Sequence, residues 1–100
     1  MLINTNVSKD GSVLTIGIQG RFDISSYEMF MSAYENMGQS MRTYEVDMRE
    51  TSYLDSSALG MLLLLRDHAG KNSTIKILNC NDNIRKVLSI TNFEKLFDMQ

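Results

Sequence analysis

The stretch Tyr53-Leu54-Asp55-Ser56-Ser57-Ala58-Leu59-Gly60 decides how this chain is read. Asp55 and the two serines behind it end a loop, and residues 58–65 are nearly all apolar. Asp and Ser are favoured at helix starts because their side-chain oxygens accept hydrogen bonds from first-turn N–H groups, so a helix is expected to begin at about Ser56. Ser56 then lies where backbone N–H groups lack intrahelical partners and the helix dipole is positive. A phosphate placed there keeps donors and a favourable field, so phosphorylation would add about −1.5 to −2 charges without unfolding the domain. The plainer role for the same residue is a helix cap.

The helix that follows has no clear amphipathic phase. A helix on a sheet needs an apolar stripe about 100° wide, yet residues 58–65 are apolar all round. Such a helix is either deeply buried or partly exposed as a contact patch. Gly60 costs about 1 kcal/mol inside a helix, which points to a close approach to its backbone by the sheet or by a partner. Arg66, Asp67 and His68 restore polarity, and Gly70 suits the helix end.

Upstream, Leu2–Val7 reads as a strand and Lys9-Asp10-Gly11 as a turn. Residues 12–19 alternate, with Leu14, Ile16 and Ile18 on one side and Val13, Thr15, Gly17 and Gln19 on the other. The two strands are expected to pair as an antiparallel hairpin, followed by a connection over residues 20–24. Ser25 with Glu28 makes a capping box for a helix carrying Phe30, Ala33, Tyr34, Met37 and Met41, with Gly38 as its end. Residues 44–49 alternate as a third strand, and residues 50–55 form a loop into the Ser56 helix. Downstream, Thr74–Leu78 is a fourth strand. Asn81 or Asp82 caps a helix bearing Ile84, Val87 and Leu88, and Thr91 with Glu94 makes a second capping box before Leu96 and Phe97. Strands alternating with helices imply parallel crossovers after the hairpin. The expected fold is α/β: one domain over residues 1–100, a mixed four- to five-stranded sheet with helices packed mainly on one face, and polar third-strand residues on the other.

A chain of 100 residues, 43% hydrophobic and 22% charged, is long enough to bury its own core. The eight methionines read as core filling, with an adaptable binding surface as the sharper alternative. A net charge of −2 without a basic cluster argues against nucleic acid. Cys80 alone forms no internal disulfide and fits a reducing compartment. No signal segment opens the chain, and the apolar run 61–65 is far too short to span a membrane. A cytoplasmic protein is expected. His68 is the only histidine, so a Ser/His/acid set would have to include it, and no Cys/His zinc spacing exists. At the end of its helix His68 suits the dipole or simply faces solvent. Asp23 and Asp55 are a formal carboxylate pair, but no substrate pocket is signalled and Asp at turns is usually structural. Gly17 and Gly20 fit neither a Rossmann fingerprint nor a P-loop. No enzyme, metal or cofactor is therefore expected.

Four segments together resemble a STAS domain, specifically the bacterial anti-sigma factor antagonists. Gly20-Arg21-Phe22-Asp23 is similar to the family's Gly-x-Leu/Phe-Asp turn, and Leu54-Asp55-Ser56-Ser57-Ala58-Leu59-Gly60 resembles its Asp-Ser-Ser/Thr-Gly-Leu-Gly signature. Thr74–Leu78 matches the following strand, and Ile84-Arg85-Lys86-Val87-Leu88 through Phe93 and Leu96-Phe97 resembles the closing segment. The resemblance implies a partner switch. The unmodified protein would bind a serine kinase and anti-sigma regulator of the GHKL ATPase type. Phosphorylation of the serine after the signature aspartate would release it, and a Ser/Thr phosphatase would restore it. By this resemblance Ser56 is the acceptor, Asp23 contacts the regulator, Asp55 shapes the acceptor loop, and Ser57, Leu59 and Leu62 lie at or near the docking surface. ATP and metal would belong to the partners. Ala58 stands where the family has Gly, Ile24-Ser25-Ser26 departs from the usual residues, and no last helix is expected beyond Phe97. The same resemblance allows a constitutive structural subunit of a transporter ATPase complex, with Ser56 as a cap. It also allows an antagonist whose regulator controls biofilm formation or secretion instead of a sigma factor.

Overall fold

The computed structural model describes residues 2–36 and 41–100. Strands β1 (Leu2–Val7) and β2 (Val13–Phe22) form the expected antiparallel hairpin, with Leu2 opposite Gln19 and Val7 opposite Leu14. The turn is held by Asp10, whose Oδ1 accepts from the Ser8 and Ser12 hydroxyls at 2.7 Å each.

β2 does not stop at Gln19, because residues beyond it find a second strand to pair with. Its first half lies parallel to β3 (Thr43–Asp47), and Gly20, Arg21 and Phe22 lie parallel to β4 (Thr51–Leu54). The expected loop over residues 50–55 is therefore largely a strand. With the two-residue β6 (Asp98–Met99), the sheet has six strands instead of four or five. β4 lacks a period-2 signal: Thr51 and Leu54 are buried while Ser52 and Tyr53 between them are exposed. A register shift between Gly20 and Arg21 accompanies this irregularity, with Gly20 at φ +88°. Thr51 is buried there, and its hydroxyl donates to the Ile18 carbonyl at 2.8 Å. The sheet runs β1-β2-β3-β5-β6, where β5 is Thr74–Leu78, and every pairing except the hairpin is parallel.

Helices α1 (Tyr27–Tyr34), α2 (Ser56–Ala69) and α3 (Asp82–Ile90) join the strands. Leu14, Ile16 and Ile18 of β2, Tyr44 and Val46 of β3, and Ile75 and Ile77 of β5 are buried on one sheet face. Thr15, Glu45 and Lys76 alternate with them on the other and are only half-buried. Phe30 and Tyr34 of α1, five residues of α2, and Ile84 and Leu88 of α3 fill one core with the buried strand residues. Helices thus cover one face, as the sequence implied.

Three local expectations change. The first capping box is made by Asp23 and Ser26, not Ser25 and Glu28, and it opens a 3₁₀ turn (Ile24–Ser26) that runs into α1. Thr91 makes no box with Glu94, because its hydroxyl turns back to the α3 carbonyls of Val87 and Leu88 at 2.8 and 3.3 Å. The last helix is one 3₁₀ turn (Phe93–Lys95). His68 is packed edge-on against Tyr34 and Tyr44, with ring centroids 4.9 and 6.2 Å away. Met37 and Gly38 lie outside the described residues.

Candidate functional site

The parallel pairing of β2 and β4 places two aspartates side by side. Phe22 is in register with Leu54, and these last strand residues are followed directly by Asp23 and Asp55. Ligand and partner sites in parallel sheets commonly form at the carboxyl ends of strands. Both aspartates are N-caps with extended backbones, at φ −142° for Asp23 and −128° for Asp55. Each uses Oδ1 to accept from the backbone N–H and hydroxyl of the serine two residues on. Asp23 takes Ser25 N at 3.0 Å and Ser25 Oγ at 2.5 Å; Asp55 takes Ser57 N at 3.0 Å and Ser57 Oγ at 2.6 Å. Asp55 also accepts from Ala58 N at 3.3 Å.

The residue between aspartate and serine is exposed in both turns: Ile24 in the first and Ser56 in the second. Ser56 is therefore the first residue of α2, and the cap is Asp55. The Ser57 hydroxyl is committed to Asp55, whereas the Ser56 hydroxyl makes no hydrogen bond among the described residues. The two adjacent serines differ in place: the Ser57 hydroxyl is bound into the cap and Ser56 is exposed.

Arg21 and Tyr53 are strand partners just behind the two aspartates. The Arg21 guanidinium lies 3.8 Å from the centroid of the Tyr53 ring, and its Nε donates to Asp23 Oδ2 at 3.2 Å. The Ser25 hydroxyl and, less strongly, Arg21 hold the Asp23 carboxyl below its ordinary pKa against the opposing effect of desolvation.

The sequence-predicted residues divide. Asp23, Asp55, Ser56 and Ser57 come together. Leu59 and Leu62, expected at or near an exposed surface, are not exposed: Leu62 is fully buried and Leu59 nearly so. They face inward with Ala58, Met61 and Leu65, and the outward leucines of α2 are Leu63 and Leu64, 39% and 41% exposed. Gly60 is exposed on the same helix, and an added Cβ would meet nothing within 4 Å. No neighbour among the described residues requires that glycine. Ile24, 70% exposed, and Tyr53, 38% exposed, add apolar surface near the two turns. An all-apolar run carries no phase, so the sequence could not say which leucines face out. Arg21 could be found only through β4.

Among the described residues no cluster of His, Cys, Asp or Glu is arranged to hold a metal ion. No helix among them is long and apolar enough to cross a membrane. An open cleft of about 590 Å³, lined by Arg66, Lys71, Ser73, Leu96 and others, lies toward the other end of α2 from Ser56.

The family model described as "Mlab, STAS domain" matches residues 5–98. A STAS-domain containing protein of Pseudomonas aeruginosa (strain UCBPP-PA14) is 55% identical over 98 residues, covering 97% of each chain. An anti-sigma factor antagonist from Mycobacterium paratuberculosis superimposes with TM-score 0.77 at 18% identity, covering 98% of this chain and 85% of that one. The Bacillus cell fate determinant SpoIIAA in its phosphorylated form gives TM-score 0.74 at 17% identity, covering 99% and 91%. At those identities the two structures share its fold, a six-stranded mixed sheet with three helices. With the family model matching almost end to end, the chain belongs to the STAS domain family.

Proposed function

We propose that this protein is a phosphorylation-controlled partner switch of the anti-sigma factor antagonist type, with Ser56 as the acceptor. One observation carries the reading: the Ser56 hydroxyl is exposed and unengaged at the first position of α2, beside a serine whose hydroxyl is tied to the cap. A kinase can take that hydroxyl without breaking any hydrogen bond of the fold. In the unmodified state the two turns and the outward face of α2 dock a GHKL-type serine kinase and anti-sigma regulator. Asp23 offers it a carboxylate, and Ile24, Tyr53, Leu63 and Leu64 offer apolar contact. Phosphate on Ser56 adds about −1.5 to −2 charges at the centre of that surface and expels the partner. A Ser/Thr phosphatase resets it. The chain itself performs no catalysis, and the free thiol of Cys80 accords with action in the cytoplasm.

The second reading is a constitutive STAS subunit of a transporter complex, favoured by the exposed leucines of α2. The two readings part on Ser56. With the regulator identified from the neighbouring genes, Ser56→Ala should bind it as the unmodified protein does. Chain carrying phosphoserine at position 56 should bind at least about tenfold more weakly, a difference of about 1.4 kcal/mol. Equal binding by the phosphorylated and unmodified forms would favour the permanent subunit. Ser56→Asp is a weaker probe because a carboxylate carries less charge than phosphoserine.

A further inference from the structure

A phosphate on Ser56 meets three amides at the start of α2 that already have acceptors. Those of Ser57 and Ala58 are already donated to Asp55 Oδ1, and that of Leu59 to the Asp55 carbonyl at 3.2 Å. The new anion would also sit beside the carboxylates of Asp55 and, one strand over, Asp23. A cation nearby would offset that repulsion, and Arg21 lies opposite Tyr53, three residues before Ser56. We propose that Arg21 supplies the counter-charge for phosphorylated Ser56 and acts as the positioning residue of the phosphorylated state, an inference that rests on Ser56 being the acceptor.

Three observations carry it. The Arg21–Asp23 contact is the one ion pair among the described residues, and it lies at the end of β2, where Arg21 pairs with Tyr53 three residues before Ser56. Arg21 is 60% exposed, yet Tyr53 stacks on it and Asp23 binds its Nε, so its head group is ordered before any phosphate arrives. Binding through Nε leaves both Nη groups without a hydrogen-bond partner among the described residues. Two parallel N–H donors are what a phosphate takes bidentately from arginine. Asp23 thus steadies Arg21 through the Nε contact already present while Ser56 is bare, and the same contact serves when Ser56 is modified.

The test needs no kinase, because phosphoserine can be placed at position 56 during translation. The second ionisation of the phosphate, ordinarily near pH 6, is followed by ³¹P NMR in the folded chain. A nearby guanidinium favours the dianion, so Arg21→Gln should raise this pKa by about half a unit or more over the unsubstituted phosphoprotein. Arg21→Lys, which keeps the charge but loses the fork and the stacking, should fall between them. Arg21 is exposed, so the variants are expected to fold, and the amide spectrum verifies it. Coincident titration of the unsubstituted and Arg21→Gln phosphoproteins would overturn the proposal. Whether Ser56 is phosphorylated in the cell is read separately by mass spectrometry, so failure of the acceptor assignment and failure of the Arg21 assignment cannot be confused.

Discussion

The turns Asp23-Ile24-Ser25-Ser26 and Asp55-Ser56-Ser57-Ala58 are built alike and differ at two positions, the exposed second and the buried fourth. Both follow a parallel strand, both place an extended aspartate at the cap, and both bind a serine two residues on through its backbone and hydroxyl. The exposed residue between is Ile24 in one and Ser56 in the other. The first turn opens a three-residue 3₁₀ segment, the second a helix of fourteen residues. The shared frame teaches that neither Ile24 nor Ser56 is needed for the cap. Each is a side chain displayed by a turn that would form without it, one apolar and unreactive, the other a hydroxyl open to chemistry. Parallel register sets the two displays on adjacent strand ends, so a partner that grips one meets the other.

The comparison assumes that the surface continues along α2 through Leu63 and Leu64 while Leu62 belongs to the core. The largest predicted effect tests that assumption. Leu62→Ala should lower unfolding free energy by about 2–5 kcal/mol, since it empties a fully buried site. Leu63→Ala should change it by no more than about 0.5 kcal/mol. Urea unfolding followed by circular dichroism measures both. A large loss for Leu63→Ala would place the outward face of α2 elsewhere.

A smaller effect separates the two caps. Asp55→Ala removes the side-chain acceptor for two first-turn amides of a long helix and should cost about 1–2 kcal/mol by the same unfolding measurement. Asp23→Ala should cost less, because its turn supports only a 3₁₀ segment, yet it should weaken binding to the regulator more than its effect on stability explains. If the two substitutions destabilise equally, the first turn is as structural as the second, and the division of labour between them fails.

Much of this was legible in the sequence. The alternation of Leu14, Ile16 and Ile18 gave the hairpin, Thr74–Leu78 was a strand at the stated bounds, and Asp55 with its serines marked the start of α2. What was not legible has physical causes. A bulge beside Gly20 removed the period of β4, and β6 is two residues long, too short to carry one. Without β4 there was no reason to place Arg21 beside Tyr53, or Phe22 in register with Leu54 ahead of the two aspartates. Capping boxes read from spacing failed twice, because a hydroxyl can turn to any nearby backbone group: Thr91 chose carbonyls of the preceding helix, and the first turn was capped two residues early by Asp23. The sequence also offered the phosphate a row of free helix amides, of which the Asp55 side chain already occupies those of Ser57 and Ala58.

The smallest predicted effect concerns acid. Asp23 has a folded-state pKa below its ordinary value of 3.8, chiefly through the Ser25 hydroxyl, with Arg21 assisting. A carboxylate whose pKa is depressed by folding stabilises the native state while it is ionised. Its contribution is complete above the unfolded value and disappears as pH falls through the folded one. Asp23→Asn should therefore lower the thermal midpoint relative to the parent at pH 6, and the gap should narrow as pH is brought below 3.8 and toward the folded pKa. Because the pair with Arg21 is exposed on the arginine side, salt should shrink the part of the gap that depends on Arg21. In an Arg21→Gln background the gap should persist at reduced size, since the Ser25 hydroxyl still favours the ionised carboxyl. A gap that vanishes entirely in that background would mean that Arg21, not the cap, sets the charge of the first turn.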